Sequence, residues 1–249
     1  MKKIITCLSI CILILGCDSE ENSTNPHLSG DIEGWVSLYD DLGNSLQDKS
    51  GVTISIDNTK LSTISISNGY WKINEVSAGI YNFLFQKDNF FTVKYHNVQF
   101  VGGGTYYLDE IPLRKVPSVF VTELEASSNL SGHNINFKIT TSNPDTINRR
   151  INVLISKSPV DSSGLIEYIM SAKPLLQATL VHTESAKIID DWYYSEYELI
   201  KGEPLYLVAY VLPIGESSSS ISPYNPATKQ YEFYSDNVTL SNVVMVTVP

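Results

Sequence analysis

The stretch Ser67-Asn68-Gly69-Tyr70-Trp71-Lys72-Ile73, followed by Val76-Ser77-Ala78-Gly79-Ile80-Tyr81, decides the fold class of this chain. Asn68-Gly69 is a dipeptide that favours a tight hairpin turn. Trp71 and Ile73 then alternate with polar residues, as expected of a strand that buries one face in a core. The stretch therefore predicts short antiparallel strands joined by tight turns.

The same pattern continues on both sides of this stretch, from Gly30 to about Leu113. Short alternating runs are broken by turn residues every 8 to 12 positions, which is typical of an antiparallel sandwich or barrel of about seven strands. The apolar positions predicted to share strand faces are Ile32, Val36, Leu38, Val52, Ile54, Ile56, Ile64, Ile66, Tyr81, Phe83, Phe85, Val93, Tyr95, Val98, Phe100, Tyr106 and Leu108.

The turn, the aromatic strand and Ala78-Gly79-Ile80-Tyr81 resemble the carboxypeptidase regulatory-like (transthyretin-like) domain, whose hallmark is a turn-Gly-aromatic strand followed by Ala-Gly-x-Tyr. Asn89-Phe90 departs slightly from the Gly-Tyr that this family usually has at that place. The resemblance covers residues 30–113. It implies a seven-strand Greek-key β-sandwich that accompanies other domains and is not itself catalytic.

Residues 114–117 are interpreted as a short linker, charged and closed by Pro117. Alternation resumes beyond it, so residues 118–249 are predicted to form a second β-sandwich, which makes the chain all-β with two sandwich domains in tandem. The run from Leu199 to Tyr206 resembles the turn and tyrosine-bearing strand of fibronectin type III domains, which implies that Tyr206 is a tyrosine corner. A different immunoglobulin-like sandwich fits the pattern as well.

One helix is predicted, from Leu165 to Ser171. Ser162-Ser163 offers a cap before it, and Pro174 follows it.

The amino terminus has the three parts of an export signal, which are Lys2-Lys3, the apolar run Ile4–Leu15 and the small residue Gly16. The apolar run has 12 residues, fewer than the ~20 that span a bilayer as a helix. Ile14-Leu15-Gly16-Cys17 resembles the lipobox of bacterial lipoproteins. This implies cleavage of residues 1–16 and lipidation of Cys17. An ordinary cleaved signal is disfavoured, because it requires a small residue where Ile14 stands.

The resemblance places the chain in the cell envelope as an outer-membrane lipoprotein that faces outward, with the lipid as its membrane attachment. Residues 17–29 are predicted to be a flexible acidic tether. The acidic cluster after Cys17 also resembles the surface-export signal of some Gram-negative lineages, and a solvated spacer explains it equally well.

Composition limits the classes of partner and of chemistry. Loss of Lys2 and Lys3 with the signal moves the formal charge from −10 to −12, so neither nucleic acid nor anionic lipid is an expected partner. Cys7, Cys11 and Cys17 are the only cysteines, so the folded part has no disulfide and no thiolate chemistry.

The sequence supports no catalytic residue, cofactor or metal. The four histidines begin no His-x-x-Glu motif and have no metal-ligand spacing to one another or to cysteine. Neither a Gly-x-Ser-x-Gly elbow nor a phosphate loop occurs. Asp40-Asp41 and Asp190-Asp191 are interpreted as solvated turns in preference to paired carboxylates or calcium ligands.

Two stretches are candidate binding sites. In an immunoglobulin-like sandwich, residues 142–149 and 213–229 are loops at the same end, where Tyr224 would stack on a partner and Arg149 would meet a carboxylate. The alternative is a solvated loop and a cross-strand ion pair. The aromatic run Trp192–Tyr197, with Trp192, is either a sugar-stacking platform or core packing on a strand.

Asp145-Thr146-Ile147 resembles the acceptor of a bacterial O-glycosylation system, with Thr146 as the attachment point, and a plain turn is the alternative. Together these features predict a non-catalytic binding or scaffolding module with a protein or glycan ligand. The alternatives are an accessory lipoprotein of a glycan- or nutrient-uptake complex and an enzyme with a composite site between the two domains.

Overall fold

The chain folds into β-sheets, so the predicted all-β class is confirmed. The computed structural model describes residues 28–129, 134–144, 149–160, 164–173, 180–187, 191–215, 222–225 and 228–249. The predicted signal peptide, Cys17 and most of the predicted tether lie outside these residues.

The first half of the chain contains eight strands, where the sequence predicted about seven. They are β1 (Ser29–Tyr39), β2 (Thr53–Ile56), β3 (Ser62–Ile64), β4 (Tyr70–Ser77), β5 (Gly79–Gln86), β6 (Val93–Phe100), β7 (Thr105–Tyr107) and β8 (Ile111–Arg114). One sheet has the order β4-β1-β7, and β8 pairs with the later part of β1. The other sheet has the order β3-β2-β5-β6. Buried residues from both sheets form one core.

The centre of this core is the aromatic strand that the sequence identified. Trp71 is 1% exposed, and its ring lies 6.1 Å from that of Phe83 and 5.8 Å from that of Phe85. Gly34 is the residue paired with Trp71 on β1, and a Cβ at Gly34 would stand 3.0 Å from the indole. The missing side chain at Gly34 therefore lets the indole pack directly under β1.

The turn at Asn68-Gly69 forms, but it does not join two paired strands. The amide of Gly69 donates to the carbonyl of Ile66 at 2.8 Å. The strands on either side, β3 and β4, belong to different sheets, so the predicted hairpin pairing is wrong. Ile64 is 61% exposed because it pairs with Thr53, which faces away from the core. Ile66 is exposed as well.

The described residues of the second half form three sheets. Its elements are β9 (Val121–Asn129), β10 (Asn134–Thr141), β11 (Ile151–Ser156), β12 (Leu165–Tyr168), β13 (Met170–Ala172), β14 (Val181–Lys187), α1 (Asp191–Glu196), β15 (Pro204–Val211), β16 (Tyr224–Asn225), β17 (Gln230–Tyr234) and β18 (Val244–Thr247). The sheet orders are β14-β10-β9, β13-β11-β15-β18 and β12-β17-β16.

The sheet β13-β11-β15-β18 is buried on both faces along β15. Leu205 and Leu207 belong to the core shared with β9 and β10. Val208 and Tyr210 belong to a second core shared with β12 and β17. Residues 205–212 are a nearly continuous apolar run, the pattern of a strand covered on both sides.

Three local predictions in this half are wrong. Residues 165–171, predicted as a helix, form β12 and the start of β13, because Ile166 and Tyr168 enter the core at the strand period of two. The helix α1 lies instead in the aromatic run that was assigned to a strand. Six residues are too few for a helical period to be recognised in a sequence. Tyr206 lies on β15, and its hydroxyl makes no hydrogen bond among the described residues, so no tyrosine corner forms there.

The two halves share a core. Phe91 follows β5 in the chain but is fully buried against Tyr210 and Phe233 of the second half, at ring distances of 5.8 and 6.3 Å. Val116 of the predicted linker packs against the same cluster, and its amide donates to the carbonyl of Asn89 at 2.8 Å. Residues 114–117 are thus held between the halves, and the domain boundary placed there stays a prediction.

Candidate functional site

The outer face of the β4-β1-β7 sheet carries exposed aromatic rings. Ile32 and Val36 point into the core, so Glu33 and Trp35 lie in the outward phase of β1. Trp35 pairs with Tyr70 on β4, and Glu33 pairs with Tyr107 on β7. We call this surface the aromatic face, and define it as Trp35, Tyr70 and Tyr107 with the charged residues Asp31, Glu33 and Lys72 between them.

Two of the three rings of the aromatic face are open to solvent, and that of Tyr70 is half-buried. Trp35 is 41% exposed and Tyr107 is 63% exposed, and the centroids of the Trp35 and Tyr70 rings are 5.5 Å apart. Aromatic side chains bury large areas when they pack, so neighbouring exposed rings on one sheet make this surface a candidate binding site.

The charged groups between the rings are held in place by one another. The hydroxyl of Tyr70 donates to Oε2 of Glu33 at 2.7 Å, and this hydrogen bond raises the pKa of Tyr70. Nζ of Lys72 lies 2.7 Å from Oδ2 of Asp31 and 3.7 Å from Oε2 of Glu33. The hydrogen bond with Asp31 raises the pKa of Lys72 and lowers the pKa of Asp31. The face therefore presents fixed carboxylate oxygens beside flat rings.

Sequence reasoning did not single out this face. The available signal was Trp35, a large aromatic residue in the same phase of β1 as Asp31 and Glu33. Tyr107 gave no signal, because only the parallel pairing of β7 with β1 places it beside Glu33.

Arg149, predicted as a ligand contact, is 4% exposed. Its Nη2 lies 2.6 Å from Oδ2 of Asp41, in the first half of the chain. The carbonyl of Asp41 also accepts the amide of Ile214 at 3.1 Å. The ends of the two predicted loops therefore do lie together, but they meet a turn of the same chain. This placement does not favour an external partner for Arg149, whose ligand role stays a prediction.

The other predicted site residues are scattered. Tyr224 lies on β16, is 41% exposed, and its ring is 5.2 Å from that of Tyr231. Trp192 lies in α1. Thr146 and Cys17 lie outside the described residues. The ligand, glycosylation and lipidation roles of these residues stay predictions.

Asp40 and Asp41 make separate structural contacts. Oδ1 of Asp40 accepts the amides of Leu42 at 3.0 Å and Asn44 at 2.7 Å, so this side chain closes the turn. Asp41 pairs with Arg149. No group of three or more His, Cys, Asp or Glu side chains in the described ranges is placed to hold a metal ion.

None of the helices within the described ranges is long and apolar enough to cross a bilayer.

A cluster of charged groups lies where β6 meets β17. Nζ of Lys94 is 2.9 Å from Oδ2 of Asp57 and 3.4 Å from Oε2 of Glu232, and it donates to the hydroxyl of Tyr234 at 3.0 Å. Nε2 of His96 is 3.5 Å from the same Glu232 oxygen. We call these five residues the ion cluster. It joins the two halves through charges that are mostly buried.

Burial and charge act against each other within the ion cluster. Burial alone would raise the pKa of Glu232, but the amide of Asn225 and the charge of Lys94 hold it below its ordinary value. Burial lowers the pKa of His96. Burial alone would also lower the pKa of Lys94, but its hydrogen bonds with Tyr234 and Asp57 hold it above the ordinary value.

A groove of about 550 Å³ lies between the first half and the turn after β17. It is lined by Gly51, Thr53, Gln86, Lys87, Asp88, Asp236 and Asn237. The amide of Asn237 donates to the carbonyls of Lys87 and Phe90, at 3.2 and 3.0 Å. The side chain of Asn237 thus closes one wall of the groove against the first half.

Comparison with known proteins assigns no family to the chain. No protein-family model matches it, and neither does any curated protein. Among solved structures, DUF3823 family proteins from Parabacteroides merdae and Bacteroides ovatus are similar at 15% and 14% identity. They cover 88% and 89% of this chain and 98% and 100% of theirs, with TM-scores of 0.32 and 0.30.

A type II cohesin–X-dockerin complex from Acetivibrio cellulolyticus is similar at 25% identity over 35% of this chain, with a TM-score of 0.31. The match spans 58% of the length of that chain. All three TM-scores are below 0.5, a level at which similarity does not identify a shared function.

Proposed function

We propose that this chain is a non-catalytic carbohydrate-binding protein of the cell envelope, anchored through a lipid on Cys17. The aromatic face is its binding surface. The observation that carries the proposal is the exposure of Trp35, two residues along β1 from Glu33, and of Tyr107, the partner of Glu33 on β7. Glu33 itself is 9% exposed and is held by Tyr70.

This surface has the two chemical properties that a sugar ring requires. One face of a pyranose presents C–H groups that pack against an aromatic ring, and its hydroxyls donate hydrogen bonds to carboxylates. Covering apolar area contributes about 25 cal/mol per Å². Glu33 and Asp31 are already fixed by Tyr70 and Lys72, so little side-chain order is lost when they accept hydroxyls.

The shape and charge of the surface narrow the ligand class. Sites for single small molecules are concave, whereas this one is the outer face of a sheet. An extended glycan chain that crosses several rings fits such a face better than a monosaccharide does. The formal charge of −12 without the signal favours neutral over anionic glycans.

The proposed location rests on the sequence. Lys2-Lys3, the apolar run and Cys17 support export and lipidation. The shared core at Phe91 supports a scaffold in which both halves move as one body at the end of the lipid tether.

A glycan array tests the binding proposal. The mature chain with Cys17→Ser, which is soluble without acylation, is compared with the same chain carrying Trp35→Ala and Tyr107→Ala. Tyr95→Ala is the matched control, because Tyr95 is 37% exposed but lies on β6 in the other sheet. We expect the parent and the control to bind neutral glycans and the double variant to lose this binding.

A parent protein that binds no glycan, or a double variant that binds as well as the parent, would overturn the carbohydrate assignment. Mass spectrometry of the amino terminus and protease shaving of intact cells test the location. The proposal requires an acylated Cys17 and loss of the body on shaving. An unacylated amino terminus would remove the anchor.

A further inference from the structure

Three large apolar side chains are exposed at one end of the first half. Leu28, Ile80 and Val101 are 57%, 69% and 70% exposed. The carbonyl of Leu28 accepts the amide of Ala78, at 2.8 Å, close to Ile80 in the chain. We call Leu28, Ile80 and Val101 the apolar tip.

The loop after β6 holds Val101 close to Leu28. Gly102 follows Val101 directly, and a Cβ at Gly102 would stand 2.7 Å from Cβ of Leu28. The φ of Gly102 is +75°, which favours glycine. The loop can therefore lie directly against Leu28, with Val101 beside it.

The chain reaches this end of the body from Cys17. Ten residues, 18–27, separate Cys17 from Leu28. The eleven steps from Cys17 to Leu28 span at most about 40 Å when fully extended. A lipid on Cys17 therefore keeps the apolar tip within that distance of the bilayer.

We propose that the apolar tip rests in the headgroup region of the membrane that holds the lipid. This inference rests on the anchoring of Cys17 in the proposed function. Three side chains give weak membrane affinity alone, but the tether makes the contact intramolecular and raises its effective concentration. The acidic body favours a zwitterionic over an anionic membrane surface.

Docking at the tip sets the direction of the aromatic face. Strand β1 begins at Ser29, beside the tip, and runs away from it. Trp35 lies six residues further along, or about 20 Å at the rise of a strand. The aromatic face then stands on the side of the body, above the membrane, where a glycan reaches it.

Depth-dependent quenching tests the contact. Cys7 and Cys11 leave with the signal and Cys17 is acylated, so a cysteine added to the mature protein is its one free thiol. Ile80→Cys and Val101→Cys are made as separate variants, and each carries a fluorophore on its added cysteine. The acylated variants are reconstituted in phosphatidylcholine vesicles with brominated acyl chains. Ile64→Cys is the matched control, because Ile64 is 61% exposed but lies at the other end of the sheet. Ile64 pairs with Thr53, and Thr53 pairs with Gln86, the last residue of β5. The tip lies near Gly79, the first residue of β5.

We expect brominated lipid to reduce emission from positions 80 and 101 and to leave position 64 unchanged. Equal quenching at all three positions in protein that floats with the vesicles would overturn the tip contact and leave the anchor standing. Acylated protein that fails to float with the vesicles would overturn both the anchor and the tip contact.

Discussion

Nζ of Lys94 lies 3.4 Å from Oε2 of Glu232, and this contact joins a strand of the first half to a strand of the second. The side chains are 13% and 6% exposed. A buried ion pair costs desolvation, and losing one partner leaves the other charge without compensation. The pair therefore makes the halves depend on each other for stability.

Lys94→Met is expected to lower the free energy of unfolding by about 3–5 kcal/mol, because Glu232 stays buried without its main cation. Urea denaturation measures the loss. Lys138→Met is the control, since Lys138 pairs with Glu125 at 49% and 52% exposure and such pairs contribute about 0–1 kcal/mol. Equal losses in the two variants would contradict the role of the ion cluster.

Acid is expected to destabilise the chain in two steps. The pKa of His96 is lower in the folded chain than its ordinary value of 6.5. The neutral ring therefore makes its full contribution to the stability of the fold above pH 6.5, and this contribution is lost as the pH falls through the folded pKa. The pKa of Glu232 is also lower than its ordinary value of 4.5, so the contribution of its carboxylate to stability is lost as the pH falls below 4.5.

His96→Gln removes the first step, because no titrating ring then faces Glu232, Lys94 and Asp57. Urea unfolding at a series of pH values measures both steps. A first step of the same size in the variant would exclude His96 as its source.

Phe91→Ala is expected to cost about 3–5 kcal/mol and to loosen the contact between the halves. Trypsin should then cut after Lys115 faster than in the parent. Phe137→Ala is the matched control, because Phe137 is equally large but lies in the core under β10. Slow cleavage of the Phe91 variant, at the parent rate, would show that Phe91 does not hold the halves together.

Tyr70→Phe is expected to lower stability by about 1 kcal/mol, because Glu33 loses a hydrogen-bond donor. Affinity for an array-selected glycan should fall as well, since Glu33 is no longer fixed. Calorimetric titration measures the affinity. Tyr107→Phe is the control because no hydrogen bond ties its hydroxyl within the described residues. A larger loss of affinity in the control would place the key hydroxyl on Tyr107.

Strand alternation in the sequence correctly predicted which side chains of the central strands enter the core. Trp71, Phe83 and Phe85 enter the core as expected. Pairing between distant strands has no local signal, so the β1–β7 contact that completes the aromatic face was missed. The sequence left Arg149 between a ligand contact and an ion pair, and it could not name Asp41 as the ion-pair partner, because Asp41 lies more than one hundred residues earlier.

Titration of the indole N–H signals by NMR tests the carbohydrate-binding role of the aromatic face most directly. The chain has three tryptophans, of which Trp35 is 41% exposed and Trp71 is 1% exposed. We expect an array-selected neutral glycan to shift the Trp35 signal until it saturates and to leave the Trp71 signal in place. Binding that leaves the Trp35 signal unmoved, or that persists in Trp35→Ala, would contradict it.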